Sequence, residues 1–169
     1  MFSTPLLNGI TELEHENILA QWCRIKQIKS GQPIVNRDAH NTDLFILMEG
    51  TAEAKITEDF RMEIETGMIF GELSFIDGEP RSALVKATSD CSVASLSLED
   101  FSSLSRKEPA LALTIMTNLA KTATGHVRNT NEKVRSLNHS LRTSSQDLQQ
   151  ALDQEVPGWM KKLAGAFSG

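Results

Sequence analysis

Apolar residues recur every seven positions through the last third of this chain, and few patterns restrict a fold more tightly. Leu113, Ala120, Val127, Val134, Leu141 and Leu148 fall at heptad position a, with Met116, Ala123, Thr130, Leu137, Ser144 and Ala151 at d. A helix packed on its own domain drifts off a strict heptad, so a register held this long predicts a supercoiled seam against a partner helix. A homodimer is the simplest such arrangement. Ala, Thr and Ser entries weaken the seam, and Gly125 inside it costs up to about 1 kcal/mol relative to Ala. The dimer is therefore expected to draw on the preceding domain as well. Pro157 and Gly158 end the helix.

Upstream the texture is different. PLLNGITELEHENILAQW carries apolar positions at helical spacing, and Thr11 with Glu14 has the form of a capping box, which predicts one or two short helices. From Cys23 to Leu96 the chain breaks into short runs such as DLFILM, AEAKI, MEIE, ALVKA and SVASL. They are punctuated by Gly31, Asn36, Gly50, Asp59, Gly67 and Asp90. Short strands at such tight spacing predict a barrel or sandwich. Ser97 with Asp100 then caps a helix through SLEDFSSLS, and Pro109 suits the first turn of the next.

Bulk properties narrow the partners. A net charge of -5 disfavours a nucleic-acid polymer, which requires clustered Lys and Arg. Cys23 and Cys91 lack CxxC spacing and read as small core residues in a reducing compartment. No apolar run approaches the roughly 20 residues of a membrane span, and the N-terminus has no secretory pattern, so the expected location is the cytoplasm. His15, His40, His126 and His139 are scattered without the spacing of a metal site. No nucleophile–base pair, paired carboxylates or metal cluster is visible, so no catalytic residue is assigned and a non-enzyme is expected.

The chemistry is concentrated in FGELSFIDGEPRSALV, Phe70 to Val85. Met68-Ile69-Phe70 reads as a strand running into Gly71-Glu72-Leu73, a tight turn or short helix whose free N–H groups face outward. Arg81 follows the Gly78-Glu79-Pro80 turn and precedes a second strand, Ala83-Leu84-Val85. Forked guanidinium donors, a Ser82 hydroxyl and nearby amides suit a phosphate. Glu72 suits a hydroxyl donor such as a ribose 2′-OH, so a nucleotide accounts for both charges. The plainer alternative pairs Arg81 with Glu72 or Glu79 across a surface loop.

This stretch resembles the phosphate-binding cassette of the cyclic-nucleotide-binding domain family, to which the catabolite activator protein belongs. Phe70, Gly71, Glu72, Leu73, Pro80, Arg81 and Ala83 stand in the family spacing. Gly31, Gly50 and Gly67 resemble its strand-turn glycines, LSLEDFSSL resembles the helix after the barrel, and the likeness covers roughly residues 6 to 140. It implies an α+β fold: an antiparallel β-barrel or jelly roll, cupin-like, with short N-terminal helices and a long C-terminal dimerisation helix. The corresponding divisions are a barrel domain over 1–106, the long helix over 107–155 and a tail over 156–169. By the same resemblance Glu72 binds the ribose hydroxyl, Arg81 and Ser82 the cyclic phosphate, and the amides near Gly71, Leu73 and Ala83 complete the cradle beside Phe70.

Two departures stand out. NRDAHNTD, residues 36–43, replaces the family's glycine-containing turn and is expected to change that loop only locally. Thr130 and Asn131 resemble the residues that read the base, but counted from Pro109 they come about one helical turn late. Thr130 is equally explained as a polar d-position residue.

The expected function is a homodimeric sensor of a cyclic nucleotide, cAMP first and cGMP second, with a cyclic dinucleotide as a third candidate. It acts through its long helix on an effector protein that the sequence does not name. Two rivals stay open. One is an adaptor whose pocket is vestigial. The other is a fragment of a ligand-dependent transcription regulator, although only about 15 residues follow the heptads, too few for a helix-turn-helix, so no DNA contact is expected. Trp159, Met160, Leu163 and Phe167 with Lys161 and Lys162 have the pattern of a short amphipathic helix suited to docking a partner, with at most weak contact to a membrane; the plainer reading is a frayed tail that folds back on the dimer.

Overall fold

The computed structural model describes residues 4–58 and 60–155, and the tail from residue 156 lies outside them. A 3-10 turn, Pro5–Leu7, precedes helix α1, Glu12–Trp22. The capping box forms as the spacing predicts: the Thr11 amide donates to the Glu14 carboxylate at 2.9 Å, and the Glu14 amide donates to the Thr11 hydroxyl at 3.4 Å.

Eight strands follow. They are β1 Arg24–Ile28, β2 Pro33–Val35, β3 Leu44–Glu49, β4 Thr51–Lys55, β5 Arg61–Glu65, β6 Ile69–Phe70, β7 Leu84–Ala87 and β8 Cys91–Leu96. Helix α2, Glu72–Asp77, sits between β6 and β7, and α3, Leu98–Lys107, and α4, Pro109–Glu155, come after β8. The strands make two four-stranded antiparallel sheets, ordered β1-β8-β3-β6 and β2-β7-β4-β5. This is the expected jelly-roll arrangement in an α+β chain.

The pattern within β3 explains how sheets and helices join. Successive side chains of a strand point to opposite faces. Phe45 and Leu47 enter the core between the sheets with Ile64, Phe70, Val85 and Val93. Leu44 and Ile46 point the other way, into a second core with Leu6, Ile18, Phe75 and Leu104. Both faces of β3 are covered, so it reads as a continuous apolar run rather than an alternating one. The tight β3–β4 turn requires Gly50: φ is 91°, and a Cβ there would lie 2.4 Å from the Asp90 carbonyl oxygen.

The chain divides into two compact units at residues 124 and 125, within the length of α4. In the first unit, α4 buries Ala112, Ile115 and Leu119 in the helix-side core. That unit therefore includes the first turns of α4. Asn118 is also buried, and its side-chain amide donates to the carbonyls of Leu6 at 3.0 Å and Asn8 at 2.8 Å, tying the N-terminal turn to the helix. In the second unit Val127, Val134, Leu137, Leu141 and Leu148 are all exposed.

Among the described residues, no helix is long and apolar enough to cross a membrane.

Candidate functional site

The site is assembled where β6 ends. Gly71 caps α2 with φ 81°, a left-handed conformation open chiefly to glycine. A second constraint acts at the same place. A Cβ on Gly71 would fall 2.4 Å from Arg81 Nη1 and 3.0 Å from the Asp43 carbonyl oxygen, so only glycine lets the guanidinium approach. The Gly71 carbonyl accepts from the Phe75 amide at 3.2 Å to start α2. Gly78, also left-handed, closes the helix by donating its amide to the Ser74 carbonyl at 3.1 Å.

Arg81 is 2% exposed. Its Nε donates to Asn41 Oδ1 at 2.9 Å, its Nη1 to the Gly71 carbonyl at 2.9 Å, and its Nη2 to the Asp43 carbonyl. The guanidinium lies over the Phe45 ring, 5.3 Å from the centroid, and Phe45 stacks on Phe70 at 5.2 Å. This is a fixed cation, not a flexible surface arginine. Burial pushes the guanidinium pKa down from its ordinary value, and the carboxylates of Asp43 and Glu72 push it back up. An arginine keeps its proton under such a pull, so the cradle holds a lasting positive charge beside two acidic groups.

The backbone carries the same loop to the same place. The Asp38 amide donates to the Arg81 carbonyl at 2.9 Å, and the Arg81 amide donates to the Ala39 carbonyl at 3.0 Å. The expectation that residues 36–43 make only a local change is therefore corrected. With no glycine in this turn, Asp38 takes the left-handed conformation at φ 61°, and the loop then delivers Ala39, Asn41 and Asp43 to Arg81. Aspartate tolerates that region better than most residues. The signal available in the sequence was the missing glycine, but not the direction in which the altered turn would point.

The remaining predicted residues divide by place. Phe70 is buried between the sheets, and Glu72, 7% exposed, opens α2 beside Arg81. Leu73 is exposed on α2, Ser82 is exposed on the short segment ahead of β7, and Ala83 is half-buried. These lie along the one stretch that surrounds Arg81. Thr130 and Asn131 belong to the second unit, exposed on α4, where the Thr130 hydroxyl donates to the His126 carbonyl at 2.9 Å. Arg81 is buried rather than on a surface loop, its hydrogen bonds go to Asn41, Gly71 and Asp43, and the Glu72 carboxylate also acts on its charge.

A buried arginine between a glycine-capped turn and a β-strand stands in the stretch that carries the cassette resemblance. Residues 25–108 match the family model for the cyclic nucleotide-binding domain. This chain contains a cyclic nucleotide-binding domain. A cyclic nucleotide-gated potassium channel from Rhizobium etli is 35% identical over 92 residues, covering 54% of this chain and 26% of the channel. This chain thus spans about a quarter of that relative's length. The catabolite activator protein of Thermus thermophilus has the same fold, with a TM-score of 0.68 at 23% identity over 80% of this chain and 63% of that one. A solved structure described as Sp-2Cl-cAMPS bound to PKAR CBD2 superposes with a TM-score of 0.62 at 25% identity, covering 75% of this chain and 82% of that one. Domains of this family regulate other activities and do not themselves catalyse.

Proposed function

We propose that this chain is a non-enzymatic cytoplasmic sensor of a cyclic nucleotide, cAMP before cGMP, that works as a homodimer through α4 on an effector protein. The observation that carries the reading is Arg81: a nearly inaccessible guanidinium, held on one side by Asn41, Gly71 and Asp43. Burying a cation costs stability unless it is paired or has a task. Here neutral acceptors take its hydrogen bonds, the Asp43 and Glu72 carboxylates lie nearby, and a cyclic phosphate is the anion its remaining donors suit. Glu72, at the first position of α2, is the acceptor for a ribose hydroxyl. Phe70, Gly71, Leu73, Ser82 and Ala83 line the cassette, and Thr130 and Asn131 are the proposed base contacts. cAMP is preferred because the solved relative is described with a cAMP analogue, while the exposed Ser82 hydroxyl keeps cGMP second.

Output follows from the exposed seam of α4. Leu113, Val127, Val134, Leu137, Leu141 and Leu148 present apolar surface at heptad spacing, which a second copy would bury. Occupancy becomes a signal only if the ligand prefers one arrangement of the helices. The proposed divisions are a sensor over 1–106, a dimerisation helix over 107–155 and a tail over 156–169.

A melting screen with cAMP, cGMP and cyclic dinucleotides tests the pocket. Ligand at a hundred times its Kd should stabilise the native state by about 2.7 kcal/mol. A melting temperature unmoved by any of them would refute the sensor reading and favour the adaptor.

A further inference from the structure

We propose that Asn41 is a positioning residue for ligand binding, acting through the Arg81 guanidinium. This rests on the reading of Arg81 as the phosphate-binding group. An arginine carries five N–H donors. Among the described residues, Arg81 uses its Nε on Asn41, one donor of Nη1 on Gly71 and one of Nη2 on Asp43. In this reading the remaining N–H donors of Nη1 and Nη2 serve the phosphate oxygens, beside the Glu72 carboxylate.

Two of the three holding contacts come from backbone carbonyls and survive any substitution. The Nε contact comes from a side chain and, because the Nε–H lies in the guanidinium plane, it helps to fix the rotation of that plane. Asn41 belongs to the turn that lacks glycine, and reaches Arg81 because Asp38 and Ala39 zip that turn to the Arg81 backbone. It is a neutral acceptor, so it aims the cation without cancelling its charge. It is also exposed as a residue, so shortening it removes no core packing.

The experiment is calorimetric titration of cAMP into wild type, Asn41→Ala, Asn41→Asp, Arg81→Lys and the Asn41→Ala/Arg81→Lys double variant. Asn41→Ala should bind about tenfold more weakly, the scale of one hydrogen bond to a charged group. Asn41→Asp should also weaken binding, since it keeps an acceptor of the same shape but sets a carboxylate against the cation and the phosphate. In the Arg81→Lys background Asn41→Ala should cost little more, because lysine has no Nε fork to aim.

Wild-type affinity in Asn41→Ala would overturn the inference while leaving the Arg81 reading intact. Wild-type affinity in Asn41→Asp, or an equal loss in the lysine background, would overturn it too, because the effect would not run through the guanidinium. If wild type binds neither cAMP nor cGMP, the phosphate reading falls and the role of Asn41 falls with it.

Discussion

The Arg81 cradle and the α4 seam use the chain in opposite ways. Around Arg81 a charge is met by partners from the same compact unit: a side-chain amide, two backbone carbonyls and an aromatic face. Along α4 beyond residue 125, apolar side chains at regular spacing remain in solvent. The first four turns of α4 lie between these cases. Ala112, Ile115 and Leu119 are spent on the chain's own core, while Leu113 and Ala120, on another side of the same turns, are exposed. The contrast teaches that the Arg81 cradle is completed within one compact unit, whereas the apolar face of α4 beyond residue 125 stays exposed.

The contrast can be broken in four ways. The largest effect is expected on the seam: with Leu141→Glu, each copy of a dimer loses burial worth about 1.5–3 kcal/mol. Sedimentation should then show a monomer that still binds ligand. Next comes Ile115→Ala, which empties a core position 0% exposed and should cost about 2–5 kcal/mol in urea unfolding. Here α4 belongs to the domain, so stability falls whether or not the chain dimerises. Arg81→Ala removes charge-assisted hydrogen bonds worth roughly 1.5–3 kcal/mol and should weaken cAMP binding about ten- to a hundredfold, with association unchanged.

The smallest effect sharpens the boundary at α3. Cys23 is a thiol whose pKa burial, aided by the Asp100 carboxylate, pushes from 9.0 up to about 12. The unfolded chain releases this proton first, so stability is intact below about pH 9 and declines from there toward pH 12. The loss should reach about 1 kcal/mol by pH 10 in denaturation curves, and Cys23→Ala should flatten that part of the profile.

Much of the fold was legible because it is written in local rules. The Thr11–Glu14 box, the Ser97–Asp100 cap and the strand-turn glycines depend on neighbours a few residues away, and all appear where the spacing puts them. β1 was harder to read. As an edge strand with four of its five residues exposed, RIKQI shows no buried face to betray its period. The heptad likewise carried no mark showing that residues 112, 115 and 119 are claimed by the domain, since helical periodicity records that a face is apolar but not what covers it.

The sequence alone determined the chemistry at the cassette: a glycine before Glu72, a turn before Arg81, and side chains suited to a phosphate and a hydroxyl. Tertiary structure alone decided how Arg81 is held. Asn41 and Asp43 lie about forty residues away and carry no motif of their own. They reach the guanidinium because a glycine-free turn puts Asp38 in the left-handed region and pairs with the Arg81 backbone. Contacts between distant segments depend on where a loop is aimed, and here that aim is held by hydrogen bonds between the turn and the Arg81 backbone.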